Sequence, residues 1–245
     1  MNARLPAAAH ATPPAIDPAQ QIGQIAVQLP GATAVFRRQK LDFCCGGQVA
    51  LRDAAAAKGL DLQALLGELS ALQRPTAPPD AGTPSELIDH ILARYHEVHR
   101  AQLPELIRMA RRVEAVHRGH PGVPAGLADA LETMHEELLA HMRKEETVLF
   151  PMLKTGGHPM AAHPIGVMRT EHTDHGEALD RLMALTHDTT PPEGACNTWR
   201  ALYAGIRQLA DDLVDHIHLE NNVLFPQFEA APAAQGCSPT GCACG

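Results

Sequence analysis

One motif occurs twice in this chain, seventy-five residues apart, and it limits what the chain can fold into. His-x-x-x-Glu followed by Leu-Phe-Pro stands at His141, Glu145, Leu149, Phe150 and Pro151, and again at His216, Glu220, Leu224, Phe225 and Pro226. Steps of three and four around His141 pick out Leu127, Leu131, Met134, Leu138, His141, Glu145, Val148 and Met152, the seam of a core-facing helix. The same count around His216 gives Leu202, Ile206, Leu209, Leu213, His216, Glu220 and Val223. Each apolar stripe is thus interrupted by one histidine and one glutamate a turn apart. An unpaired buried carboxylate costs several kcal/mol or more, on the order of what holds a domain together, so something must compensate it. A cation between the two helices would compensate both.

A second repeat supplies partners. His96 and His99 precede the first motif, and His172 and His175 precede the second, each pair spaced His-x-x-His. His96 lies forty-five residues before His141, and His172 forty-four before His216. Their seams read His96, His99, Leu103, Leu106, Ala110, Val113 and His117, and Ile165, Met168, His172, His175, Leu179 and Leu182. The region reads as a duplicated helical hairpin that points His96, His141, His172, His216, Glu145 and Glu220 at one level of a four-helix bundle. Mixed nitrogen and oxygen donors suit two irons, whereas structural zinc needs four ligands and often takes thiolates. The order differs from the Glu-x-x-His arrangement of ferritin-like carboxylate proteins, because here histidine comes first with a spacing of four. His117 shares the seam of His96, but twenty-one helical residues put it roughly 30 Å away, and it is left out. His99, His175, His187, His218, His120, His158 and His163 read as core or loop histidines. The two Leu-Phe-Pro runs read as apolar closures of the core with a proline near the helix end.

A linker over 74–83, whose prolines and glycine cannot continue a helix, separates two parts. After it, Thr83-Pro84-Ser85-Glu86 has a threonine cap, proline at the first helical position and glutamate at the third, the signature of a capping box. Four helices follow, to about His117, from Pro124 to Lys154, from Pro164 to His187, and from Cys196 to Phe228. No segment alternates like a strand, so the expected fold is all-α. The expected division is an arm over 1–19, a small helical domain over 20–73, the linker, the bundle over 84–228 and a tail over 229–245. In the small domain 31–39, 48–58 and 62–73 are the clearest helices, with Asp61 as a cap. The arm and tail are rich in Ala, Pro and Gly and are expected to be disordered.

A net charge of −8 with no basic stripe argues against nucleic acid as a partner. No basic segment followed by an apolar run opens the chain, and no run of eighteen apolar residues occurs, so a cytoplasmic protein with no membrane contact is expected. The six cysteines are Cys44, Cys45, Cys196, Cys237, Cys242 and Cys244. They do not form a spaced disulfide framework. Cys44 and Cys45 adjoin a glycine-rich turn, too close along the chain for a relaxed disulfide, and are expected to act in transfer or thiol chemistry. Cys237, Cys242 and Cys244 suit either a soft-metal chelate or an inert tail.

These residues resemble the repair-of-iron-centres family, the iron-sulfur cluster repair di-iron proteins. The resemblance rests on LDFCCGG, RYHEVHRAQLPEL, HEELLAHMRKEETVLFPML, the Glu171-His172 pair and DDLVDHIHLENNVLFP, and it covers residues 20–228. It implies a hemerythrin-like bundle holding two non-haem irons, oxo- or hydroxo-bridged. His96, His141, His172 and His216 would be terminal ligands, and Glu145 and Glu220 bridging carboxylates. Cys44 and Cys45 correspond to the family's cysteine pair, and members carry a histidine equivalent to His117. The implied function is repair of iron-sulfur proteins damaged by nitric oxide or peroxide, by supply of iron. Two alternatives are binding or reduction of nitric oxide at the same irons, and oxygen carriage or sensing as in hemerythrins. Carriage would need a seventh ligand from the third helix, such as His175.

Overall fold

The chain is described by a computed structural model over residues 16–29, 31–72, 83–157 and 160–229. It divides into two compact units, Met1–Ala81 and Gly82–Gly245. Apart from Ile16–Ala19, Thr83 and Glu229, the arm, linker and tail lie outside the described residues. Among the described residues every regular element is helical, and the nearest thing to a strand is a single bridge between Gln21 and Ala50.

The first unit holds α1 (Ile22–Gln28), α2 (Ala32–Arg38), α3 (Leu51–Ala57) and α4 (Leu62–Ser70). Ile22, Ile25, Phe36, Leu51, Leu65 and Leu69 form its core. Asp61 caps α4 by accepting from the backbone N–H groups of Gln63 and Ala64. Within 16–19, read from the sequence as part of the arm, Ile16 is buried, and Arg52 N–H donates to the Pro18 carbonyl at 3.0 Å.

In the second unit the first bundle helix opens on the Thr83–Glu86 capping box and runs through α5 (Pro84–Ile91), a π segment π1 (Leu92–His96) and α6 (Glu97–Val116). Pro104 sits inside α6 without ending it. The second helix comprises α7 (Leu127–Lys144), π2 (Glu145–Leu149) and α8 (Phe150–Lys154). The third is α9 (Ala162–Leu185), and the fourth is α10 (Asn197–Leu219), continued by π3 (Glu220–Leu224) and a 3-10 turn, Phe225–Gln227. α6 packs on α7 and α10, α7 packs on α9, and α9 meets α10, which closes a four-helix bundle. Between the second and third helices the chain passes against Phe228 at Gly157, where an added Cβ would sit 2.6 Å from that ring. No helix among the described residues is long and apolar enough to cross a membrane.

The π segments correct the seam expected from the sequence. Glu97, Phe150 and Phe225 donate their N–H to the carbonyls five residues back, of Leu92, Glu145 and Glu220. Each widened turn inserts one residue and shifts every later side chain by one position around the helix. Val148, expected in the core, is therefore 52% exposed, and Leu149 takes its place at 1%. Val223 is likewise only partly buried while Leu224 is fully buried. Pro151 and Pro226 stand one residue beyond the ends of π2 and π3 and have no N–H for the displaced bonding pattern to strand.

The shifted register predicts that Leu149→Ala costs about 2–5 kcal/mol by leaving a cavity. Val148→Ala should stay within about 0.5 kcal/mol, as at other exposed sites. Denaturant unfolding of the two variants checks this; a larger loss at Val148 would mean an uninterrupted α register.

Candidate metal centre

The bundle brings together all six residues that the two motifs single out. His96 and Glu145 lie at the junctions of π1 and π2 with their neighbours, Glu220 opens π3, and His141, His172 and His216 come from α7, α9 and α10. All six are buried to within 1%. Two sets form: His96, Glu145, His216 and Glu220, and His141, Glu145, His172 and Glu220, each with donor atoms within 4.8 Å of one another. Both carboxylates belong to both sets.

The atoms sort symmetrically. His96 Nε2 and His216 Nε2 are 3.3 Å apart, and His141 Nε2 and His172 Nε2 are 3.2 Å apart. Glu145 turns Oε2 to His96 at 3.4 Å and Oε1 to His141 at 3.3 Å. Glu220 turns Oε1 to His216 at 3.3 Å and Oε2 to His172 at 3.0 Å. Donors bonded at roughly 2.1 Å to one ion, at right angles, stand about 3 Å apart, so this spacing suits common coordination. Neither oxygen of Glu145 has a hydrogen-bond partner of good geometry among the described residues, although both are buried. Such orphaned atoms on a fully buried carboxylate call for a cation. The four-helix bundle and its buried His/Glu sets fit a non-haem di-iron centre.

The outer nitrogens are held less evenly. His96 Nδ1 pairs with Glu146 at 2.7 Å, His141 Nδ1 with Glu171 at 2.9 Å, and His172 Nδ1 with Asn221 Oδ1 at 2.9 Å. A proton on Nδ1 that is given to an oxygen leaves the Nε2 lone pair aimed inward, fixes the ring and raises its basicity. Arg100 in turn holds Glu146, and Lys144 holds Glu171. His216 Nδ1 has no hydrogen-bond partner among the described residues; its ring instead stacks on Tyr95, centroids 5.3 Å apart and planes within 5°. Tyr95 precedes His96 as Glu171 precedes His172, so the duplicated pattern is broken at this pair. Arg94, one residue earlier, bonds Asp212 on α10 at 2.6 Å and ties the first helix to the fourth.

Charge balance inside the pocket follows from the same contacts. Burial and Glu220 push the Glu145 carboxyl up, but His141 and His96 outweigh them and hold it below the usual range. Burial likewise raises Glu220, and His172 beside it brings it back down. Burial works against a charged His141, yet Glu145 and Glu171 lift it to about 10. His216 goes the other way, pushed well down by burial and by His96.

Sequence reasoning placed the six inward donors but not their anchors. Glu146, Asn221 and Glu171 lie off the seams; the available signal was a polar residue directly after each motif glutamate and directly before His172. His99 and His175 are buried under His216 and His141, with ring centroids 5.5 and 5.0 Å away, and belong to neither set. Burial, then those neighbouring imidazoles, lowers each to about 3, and neither has a ring-nitrogen hydrogen-bond partner among the described residues. His117 closes α6 with Nε2 3.2 Å from Cys196 Sγ, outside both sets. His218 is buried beside Asn222, His120 Nδ1 accepts from Gly122 N–H, and His163 is exposed. His158 lies outside the described residues. Phe150 and Phe225 of the Leu-Phe-Pro runs stack on His96 and His172 and join a core cluster with Leu149 and Leu224. Cys44 and Cys45 lie in the first unit.

Residues 87–228 match the hemerythrin HHE cation binding domain, and residues 18–73 match a domain of unknown function, DUF542. An iron-sulfur cluster repair protein YtfE of Dickeya chrysanthemi is 51% identical over 211 residues, covering 85% of this chain and 96% of that protein. Proteins of the same name from Cronobacter sakazakii and Escherichia coli are 52% and 50% identical over 210 residues, covering 85% of this chain and 95% and 96% of theirs.

The anchoring pattern predicts three slowly exchanging imidazole Nδ1–H protons, on His96, His141 and His172, in the zinc-loaded protein. Histidine nitrogen–proton correlation spectra check this, and a fourth such proton on His216 would contradict it.

Proposed function

We propose, because the chain belongs to the family of iron-sulfur cluster repair proteins with a hemerythrin-like bundle, that it restores damaged iron-sulfur clusters by handing over iron held in the bundle. The observation that carries this reading is the way Glu145 and Glu220 each divide their two oxygens between the same two histidine pairs. In this reading two non-haem irons occupy the sets, bridged by both carboxylates, with an oxo or hydroxo group completing the pair. When bound they supply a releasable store of ferrous iron. His96, His141, His172 and His216 hold it through Nε2, with no thiolate to grip it more firmly. Carboxylates change binding mode readily, which suits a cargo that must leave.

The two seats differ. The seat of His141 and His172 has both rings anchored by hydrogen bonds, whereas that of His96 and His216 has only His96 anchored. Loss of such an anchor lowers metal affinity roughly 10- to 100-fold. The seat of His96 and His216 therefore gives up iron first. Phe150 and Phe225, stacked on the ligand rings, keep water from the pocket floor, and the half-buried pair Arg100–Glu146 and the more exposed pair Lys144–Glu171 hold the outer face. The clients are damaged iron-sulfur proteins in the cytoplasm. Oxygen carriage is the weaker reading, since the further ligand it needs from α9 does not join either set: His175 lies against His141, outside both.

The ferrous protein should restore activity to a cluster-depleted hydratase, with iron passing in two phases of about one equivalent each. Glu145→Leu should abolish restoration. Failure of the wild type alongside success of Glu145→Leu rejects the reading, and nitrous oxide release at catalytic rates from nitric oxide would favour an enzyme instead.

A further inference from the structure

The first unit gathers a separate group of ligand-type side chains, Asp42, Cys44 and Cys45, whose carboxylate oxygen and sulfur atoms lie within 4.8 Å of one another. We propose that these three side chains form a second metal site, for one divalent cation of borderline softness, Zn(II) or Fe(II), with a fourth position open to solvent. The inference does not depend on the bundle holding iron.

Geometry is the main support. Cys44 Sγ and Cys45 Sγ stand 3.8 Å apart. Two thiolates bonded at about 2.3 Å to a tetrahedral ion are separated by about 3.8 Å, so both sulfurs already span one ion. A disulfide would need them at about 2.05 Å, which adjacent residues reach only with strain. Cys44 Sγ is 3.3 Å from Asp42 Oδ1, near the roughly 3.6 Å edge between a thiolate and a carboxylate oxygen on such an ion. Cys45 N–H donates to the same oxygen at 2.9 Å and fixes the carboxylate over the sulfurs. At Gly46 an added Cβ would meet the Asp42 carbonyl at 2.9 Å and Oδ2 at 3.0 Å, so only glycine lets the chain fold back this closely.

The loop is also held in place. Leu41 and Phe43 are buried, and the Phe43 ring packs 5.8 Å from that of Phe36. The ligands therefore sit on a fixed support, with Cys44 buried, Cys45 half-buried and Asp42 exposed, so that one side faces solvent. On metal uptake one dication enters, two sulfur–metal bonds form, and two S–H bonds give up their protons to solvent. Counting Asp42 as carboxylate, the group carries one negative charge before and after. The exchange moves no net charge into the buried loop.

The test is anaerobic titration of the full chain with Co(II), in a background where Cys196, Cys237, Cys242 and Cys244 are serine. The bundle offers only nitrogen and oxygen, so sulfur-to-cobalt charge-transfer absorption reports this site alone. The band should saturate at one cobalt beyond those the bundle takes up, and Zn(II) should erase it. Cys44→Ser or Cys45→Ser should remove it, and Asp42→Asn should weaken cobalt binding at least about tenfold. No band in the four-serine background, a band surviving both cysteine variants, or unchanged affinity in Asp42→Asn would overturn the proposal. Helix content and the bundle's own cobalt absorption serve as folding controls. If Cys44→Ser fails them, the half-buried Cys45→Ser carries the test.

Discussion

Two carboxylates and four imidazoles meet at one buried level of a helical bundle, and the rest of the second unit is arranged around the cost of putting them there. Glu145 and Glu220 are fully buried, and among the described residues the oxygens of Glu145 have no hydrogen-bond donor of good geometry. An apolar core of this size would be more comfortable with leucines at both positions. What makes the arrangement intelligible is its sharing: each carboxylate turns one oxygen to each histidine pair. Under the proposed reading two cations repay the desolvation of both glutamates at once, and they do so without the thiolates that would hold iron too tightly for delivery.

The π segments are the local device that makes this meeting fit. Each falls at a residue of the site, with His96 ending π1, Glu145 opening π2 and Glu220 opening π3. A widened turn at these points lets the ligand face inward and then re-aims the following stretch, so that Leu149, Phe150, Leu224 and Phe225 close the pocket. The cost falls on hydrogen bonding, and the prolines after π2 and π3 reduce it. Function and local irregularity therefore share the same residues, as is common for π-bulges.

The bundle, its four helices and all six inward donors were legible in the sequence, because burying a His/Glu pair in an apolar stripe leaves a strong periodic mark. The Thr83–Glu86 capping box and the Asp61 cap were legible for a related reason, since they are short-range chemistry. What failed was the assumption of a uniform turn. Counting by threes and fours put Val148 and Val223 in the core, and the i→i−5 bonds of π2 and π3 moved them out. The anchors Glu146, Glu171 and Asn221 were missed because they lie off the apolar seams, where polar residues carry no periodic signal. The break in symmetry at Tyr95 and Glu171 shows only once the rings stand side by side.

The most direct measurement is Mössbauer spectroscopy with metal analysis on protein loaded with iron in the absence of oxygen. The account predicts two irons per chain, magnetically coupled through shared carboxylates, with distinct signals for the seat of His141 and His172 and that of His96 and His216. A single uncoupled iron, or a pair with no coupling, would contradict it.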